Sequence, residues 1–394
     1  MQKTKLIVIW LLTFSRLLCE QVNTLQAPKD IDSIPPIRVK DIDARVTSPK
    51  MKISGMQGLV WMIGPKSGLA AEDEGFERLL DRVDRTLANN PYLEGIYIIN
   101  HWDLIEPEEG KFQFHRLDQI IALAHKYCIP YKLSLNPGIY CPEWIYEKGA
   151  IAFHTKGSNP ARKNIYKKAI KIPIPWDPVF KTTYFNALNK LEERYGNDPY
   201  FIAIALTVST FMSPEWHLPS SSKDMKQWAQ IPDYKKKLET AWKDGIRRFA
   251  SIFSKQQLIL EASSYPLSKK IGNAVVEMGV GEYPGRFTVQ INQLMGRVDM
   301  IDRPPLDKLI VFKEKYGDNI CIGIQNLRGW EHEKIAKEQG SMELSVYNFI
   351  QSGAVYWELW HGDGMNVETC KRLTDLIAKA RLHGLKCLKK EAQN

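Results

Sequence analysis

A single-domain α/β chain closing as a (β/α)8 TIM barrel is the fold class this sequence predicts, and three observations predict it. From Gly58 onward, short β-like runs alternate with segments of helical period, the pattern of βαβ units around a parallel sheet. Two of the runs carry large apolar residues on one face and small ones on the other. Tryptophans gather where the runs end.

The β-like runs are Leu59–Ile63, Gly95–Asn100, Tyr131–Leu135, Phe201–Val208, Leu258–Glu261, Thr288–Asn292, Asn319–Ile324 and Ala354–Leu359. Helix-period segments lie between them: Phe76–Ala88, Leu117–Tyr127, Lys181–Tyr195, Tyr234–Phe253, Leu267–Glu277, Pro305–Tyr316 and Met342–Ser352, with Cys370–His383 to close. Tyr195-Gly196-Asn197 and Tyr316-Gly317-Asp318 read as helix stops. Eight strand–helix pairs suit a barrel with loop insertions, and a doubly wound open sheet is the alternative.

Side-chain alternation sets the strand faces. In the fourth run Ile202, Ile204, Leu206 and Val208 share one face, and Ala203, Ala205, Thr207 and Ser209 the other. The large set suits the helix ring and the small set the tight interior. The seventh run repeats this, with Ile320, Ile322 and Ile324 outward and Cys321, Gly323 and Gln325 inward. Extended to the other strands, this phase puts Asn100, Asn136, Glu261, Asn292, Gln325 and Glu358 at the inner C-terminal rim. That rim is where barrel chemistry sits. Trp61, Trp102, Trp144, Trp216, Trp330, Trp357 and Trp360 also lie at or just past strand ends. Flat apolar rings offer sugar faces a stacking surface while polar rim groups read hydroxyls; filling loop cores is the alternative use of an indole.

The chain has 394 residues, 44% hydrophobic and 25% charged, an ordinary globular composition. Residues 1–20 read as a secretion signal: Lys3 and Lys5 precede a short apolar core, Leu6–Phe14. A lipid-anchored Cys19 and an uncleaved helix are alternatives. Residues 21–55 form a polar lead-in, 56–386 the barrel and 387–394 a polar tail, with no membrane-spanning segment expected in the mature chain. The expected location is therefore extracellular or in the cell envelope. The formal charge of +9 is scattered, for example over Lys163, Lys167, Lys168 and Lys171, and over Lys235–Lys237. Such scatter reads as solvated surface rather than a nucleic-acid site, though a basic face suits anionic glycans. Six cysteines show no CxxC spacing, and a Cys128–Cys141 pair is left open. No metal is expected, since His217, His361 and Asp363 lack a metal-ligand spacing. No dinucleotide, nucleotide or esterase motif occurs, so no cofactor is expected.

The strongest local signal runs Trp102-Asp-Leu-Ile-Glu106-Pro107-Glu-Glu-Gly110-Lys-Phe112-Gln-Phe114, followed after a helix and a strand by Cys141-Pro142-Glu143-Trp144. Over residues 95–145 this resembles the (β/α)8 glycosidases that include the β-galactosidases. Pro, Gly and the two Phe residues are equally what a packed turn needs, so Glu106 is given no catalytic role. The resemblance implies a carbohydrate or glycoconjugate substrate, an acid/base glutamate after the fourth strand and a nucleophile glutamate ending the seventh. Such chemistry needs two carboxyl groups flanking the scissile bond.

After the fourth run stands Pro214-Glu215-Trp216-His217, and Glu215 is the acid candidate, although the family's Asn-Glu pair is absent. At the seventh run the chain reads Gln325-Asn-Leu-Arg-Gly329-Trp330, with an amide in the nucleophile's place. An amide cannot serve as that nucleophile. Either another carboxylate acts, with Glu358 first and Glu261 second, or the substrate supplies the nucleophile, or the barrel only binds glycan. The expectation is a secreted glycoside hydrolase using Glu215, Glu358 and Glu261. Trp102, Asn100, Asn136, Trp144, Trp216, Asn292, Gln325 and Trp360 would hold the substrate. A non-catalytic carbohydrate-binding barrel is the alternative.

Overall fold

A computed structural model describes residues 55–64, 73–156, 170–262, 269–297, 306–330, 336–337 and 339–392. The expected signal segment, nearly all of the lead-in, Cys19, Lys163, Lys167 and Lys168 lie outside the described residues.

The strands are β1 (Gly58–Ile63), β2 (Leu93–His101), β3 (Tyr131–Asn136), β4 (Ala152–His154), β5 (Lys171–Pro173), β6 (Phe201–Ala205), β7 (Gln257–Glu261), β8 (Phe287–Leu294), β9 (Cys321–Asn326) and β10 (Tyr356–Leu359). All but β4 and β5 form one closed parallel barrel in the order β1-β10-β9-β8-β7-β6-β3-β2. Because β1 pairs with both β2 and β10, there is no sheet edge, and the open-sheet alternative is excluded. β4 and β5 make a small antiparallel hairpin outside the barrel.

Each predicted barrel strand is present, with shifted ends. The fourth stops at Ala205 rather than Val208, and Thr207 beyond it donates its hydroxyl to the Leu135 carbonyl at 2.8 Å. Asn319 belongs to a 3-10 turn, Gly317–Asn319, rather than to the seventh strand. Gly317 opens that turn at φ 55°, a conformation glycine adopts without Cβ strain.

Two cores follow from side-chain alternation. The larger fills the space between strands and helices, and takes Ile96, Ile98, Leu133, Ile204, Leu206, Ile322 and Ile324 from the outward faces. The smaller plugs the barrel interior with Met56, Val60, Tyr97, Ile99, Ala203, Ala205, Ile259 and Tyr356. The small and large faces of β6 and β9 therefore point as predicted. Helix starts are set by side-chain caps: Asp177 accepts from Phe180 N at 2.8 Å with Pro178 in the first turn, and Ser221, Ser341 and Asn366 cap likewise. Each such cap contributes about 1 kcal/mol. Among the described residues no helix is long and apolar enough to cross a membrane. Cys141, Cys321, Cys370 and Cys387 are free thiols, which removes the Cys128–Cys141 pair left open by the sequence.

Candidate active site

Above the apolar plug the inward faces of β3, β7 and β10 carry charge, and those of β8 and β9 carry amides. Lys132 on β3 is fully buried. Its ammonium donates to Glu261 Oε1 at 2.7 Å, to Glu358 Oε1 at 2.9 Å and to Gln290 Oε1 at 3.1 Å. It also stands 3.8 Å from the ring centre of Tyr97, a cation–π contact. Glu358 is satisfied on its other oxygen, which accepts from Gln290 Nε2 at 2.8 Å and Gln325 Nε2 at 3.3 Å. Burial, and then the neighbouring Glu261, push the Glu358 carboxyl well above the usual carboxylate range, although Lys132 and Gln290 oppose them. Two carboxylates facing one ammonium leave this cluster one positive charge short.

Asn292 on β8 links the cluster to the rim. Its Nδ2 donates to Glu215 Oε1 at 3.0 Å and to Glu261 Oε2 at 3.3 Å. The nearest oxygens of these two carboxyl groups therefore lie closer than the roughly 6.5 Å at which inverting spacing begins. Glu215 stands on the loop between β6 and the helix Ser222–Ala229, and its side chain keeps 30% exposure. The loop is tied down on several sides. Trp216 N donates to the Glu261 carbonyl at 2.7 Å, and Ile139 N donates to the Phe211 carbonyl at 2.9 Å. Gly138 permits the second contact: at φ 41°, a Cβ there would sit 2.2 Å from Phe211 O.

The three predicted carboxylates come together through Lys132 and Asn292, but at different depths. Glu358 has no exposed surface and both its oxygens are bonded internally, so it does not face substrate. Burial with a cationic partner is the ordinary way for a barrel to hold such a carboxylate. Gln325 directs its Nε2 at Glu358 and at Met62 Sδ, 3.3 Å away.

Two predicted stacking residues are corrected. Trp102 is fully buried against Tyr184, 5.2 Å between ring centres, and donates Nε1 to Glu106 Oε2 at 2.9 Å. Trp216 is fully buried against Trp242 at 4.4 Å. Neither indole presents a face to a sugar; both fill the layer between barrel and helices. Trp144 is half-buried, with its edge on Trp102 and Nε1 bonded to the Glu106 carbonyl at 3.2 Å. Trp360 stays exposed at the end of β10, its Nε1 held by the Asn326 carbonyl at 2.9 Å. Asn100 is also corrected. It falls on the outward phase of Ile96 and Ile98, and its Nδ2 reaches back to the Ile98 carbonyl at 3.4 Å. The inward residue there is His101, paired in register with Asn136 of β3. The Asn136 side-chain oxygen is buried and accepts no hydrogen bond from the described residues.

Sequence reasoning missed Lys132, Gln290, His101 and Asp103. A signal for Lys132 existed: in Tyr131-Lys-Leu-Ser-Leu135 it alternates with the outward Tyr131, Leu133 and Leu135. His101 stacks on Tyr140 at 3.3 Å, and burial lowers its imidazole to about 3. Asp103 follows in the first turn after β2, and burial raises it to about 6. Among the described residues no group of three or more His, Cys, Asp or Glu stands where it could hold a metal ion.

Residues 96–251 match the family model described as Beta-galactosidase. The solved structure of a β-galactosidase from Rahnella sp. R3 is 12% identical, with a TM-score of 0.54 over 84% of this chain and 57% of that one. A β-galactosidase from the psychrophilic Marinomonas ef1 is 10% identical, with a TM-score of 0.51 over 84% and 61%. The catalytic domain of a β-amylase from Paenibacillus polymyxa is 11% identical, with a TM-score of 0.51 over 83% of this chain and all of that domain. The chain thus spans about three fifths of the length of the two β-galactosidases. At such identities the structural likeness is one of fold. No curated protein matches the chain. The matched segment and the closed barrel fit a (β/α)8 glycoside hydrolase, as the resemblance of the motifs after the second and third strands implied.

Proposed function

We propose that this chain hydrolyses O-glycosidic bonds of a carbohydrate or glycoconjugate at the barrel rim, outside the cell or in its envelope, with Glu215 as proton donor and Glu261 as the opposing carboxylate. The observation that carries the reading is the Asn292 amide shared by these two groups, at 3.0 and 3.3 Å. A single amide nitrogen bridging their nearest oxygens is compatible with a retaining mechanism, in which carboxyl groups stand about 5–5.5 Å apart. Glu215 protonates the glycosidic oxygen as Glu261 attacks the anomeric carbon, and the leaving group departs as an alcohol. Water then gives a proton to Glu215 and its oxygen to the anomeric carbon, which frees Glu261. Substrate takes the place of the Asn292 bridge. Exposed Trp360 offers a ring face, and Asn136 and Gln325 offer side-chain carbonyls to sugar hydroxyls.

Binding without turnover is the second reading, and a specific observation favours it. Gln325 occupies the place where the resembling families carry a nucleophile, and Lys132 neutralises much of the charge of the two buried glutamates. A panel of chromogenic glycosides run beside a glycan array separates the two. Glu215→Gln and Glu261→Gln are each expected to lower turnover by roughly 10²–10⁴-fold while retaining array binding. Turnover unaffected by both substitutions would overturn the assignment. Glycan binding by a wild-type protein that cleaves nothing would establish the second reading.

A further inference from the structure

We infer that Trp216 is a positioning residue for this reaction: it returns the chain from an excursion, residues 207–215, to the side of β7, and so seats Glu215 in the ladder place opposite Glu261. The inference rests on the proposed role of Glu215 and deepens it.

The hydrogen-bond ladder between β6 and β7 carries the placement. Ala203, Ile204 and Ala205 stand in parallel register with Gln257, Leu258 and Ile259. Leu206 N then donates to the Ile259 carbonyl at 2.8 Å. One further step of a parallel ladder would bring the N–H two residues on, that of Val208, to the Glu261 carbonyl. That carbonyl instead accepts from Trp216 N at 2.7 Å. Trp216 thus fills the place due to Val208, and Glu215 the place due to Thr207, in register with Glu261. Register partners turn to one face of a sheet, so a glutamate that the sequence sets far beyond β6 is brought inward beside Glu261. The Asn292 amide, reaching Glu215 at 3.0 Å and Glu261 at 3.3 Å, agrees with that placement.

The displaced residues are held elsewhere. Thr207 Oγ1 donates to the Leu135 carbonyl at 2.8 Å and lies 2.7 Å from the Tyr184 hydroxyl, on the helix side of the barrel. Val208 lies against Gly245 of the helix Tyr234–Ile252, where a Cβ would stand 2.4 Å from Val208 Cγ1. Trp216 packs on Trp242 of the same helix, 4.4 Å between ring centres. Residues three apart on a helix are surface neighbours, so one turn of this helix holds both the exit and the return of the excursion. The Trp216 indole N–H meets no acceptor among the described residues, so packing alone fixes the ring. Beside this fully buried anchor the Glu215 side chain keeps 30% exposure and stays at the rim.

The test compares kcat/KM on two glycosides of the sugar that wild type cleaves. A dinitrophenyl group leaves without a proton, whereas an alkyl group needs the acid. Trp216→Leu is expected to lose roughly 10²-fold on the alkyl glycoside, because the acid is misplaced, and little on the dinitrophenyl one. Trp216→Phe keeps a ring against Trp242 and is expected to recover most of the loss. A merely structural Trp216 would lower thermal stability and cut both rates alike through a smaller folded fraction, and equal losses overturn the inference. If Trp216→Leu does not fold, Trp242→Leu takes its place: it removes the ring on which Trp216 rests, and the same split between the two glycosides is expected. Amide hydrogen exchange of wild type supplies a readout free of turnover. The Trp216 N–H is expected to exchange as slowly as that of Ala262, which donates to the Gln290 carbonyl at 2.7 Å. Exchange of the Trp216 amide at the rate of an unbonded loop amide also overturns the inference. A wild type that protects the Trp216 amide yet cleaves no glycoside overturns the proposed function and leaves the return to β7 standing.

Discussion

Two buried glutamate sites in this barrel solve the same problem with different means. At the corner after β2, Glu106 is 2% exposed and is bonded only to neutral donors: Trp102 Nε1 at 2.9 Å and Gly110 N at 3.0 Å. Both of these side-chain hydrogen-bond partners lie four residues away along the chain. Inside the barrel, Glu261 and Glu358 share an ammonium 129 and 226 residues away. The first site staples a turn, and its carboxyl is raised by burial, with Trp102 and Gly110 opposing. The second assembles charge from strands across the barrel and links one group, the buried Glu261, through Asn292 to Glu215 at the rim. The contrast teaches that a buried carboxylate becomes chemically interesting when its compensation is ionic, shared and incomplete.

The comparison breaks most readily at Lys132. Lys132→Met strands two carboxylates without their cation, and a loss of about 3–5 kcal/mol is expected in denaturant unfolding at neutral pH, shrinking as the pH falls and the carboxylates protonate. A small, pH-independent loss would place the ionic cluster in the same class as the Glu106 corner. At that corner, Trp102→Phe keeps most of the packing and removes one donor, so a loss of about 1–3 kcal/mol is expected. The loss should not depend on salt.

A sharper test follows the sign of the Glu358 shift. Its folded carboxyl sits above the unfolded value, so its contribution is fully present below the unfolded pKa of about 4.3 and is lost as pH rises through the folded value. Between about pH 4.3 and pH 7, wild type should therefore lose stability relative to Glu358→Gln, at up to about 1.4 kcal/mol per pH unit. Parallel stability curves for the two proteins would remove the distinction. The smallest effect belongs to the surface. Arg247 and Glu282 pair at 2.6 Å with both side chains more than a third exposed, and Glu282→Gln should cost less than about 1 kcal/mol, vanishing in high salt.

Much of the architecture was legible along the chain because strand and helix periods are local. The alternation in Phe201–Val208 named the inward Ala203 and Ala205, and the Gly and Pro punctuation located the loops. The rim was legible only in part. Glu261, Asn292, Gln325 and Asn136 lie where strand phase placed them, whereas Asn100 does not, because β2 runs one residue further and its last inward position is His101. Trp102 and Trp216 misled because position along a strand says nothing of which way an indole turns; both are held inside by aromatic neighbours from distant helices.

Residue order alone determined the alternation of strands and helices, the small-against-large strand faces and the packed turn at Glu106, since each is set by neighbours a few positions apart. Barrel closure decided the rest. It brought Lys132 of β3 between glutamates of β7 and β10, and it set Glu215 over Asn292 from a loop whose own composition names no partner. Electrostatic pairing depends on distance through space, and that distance is known only once β1 meets β10.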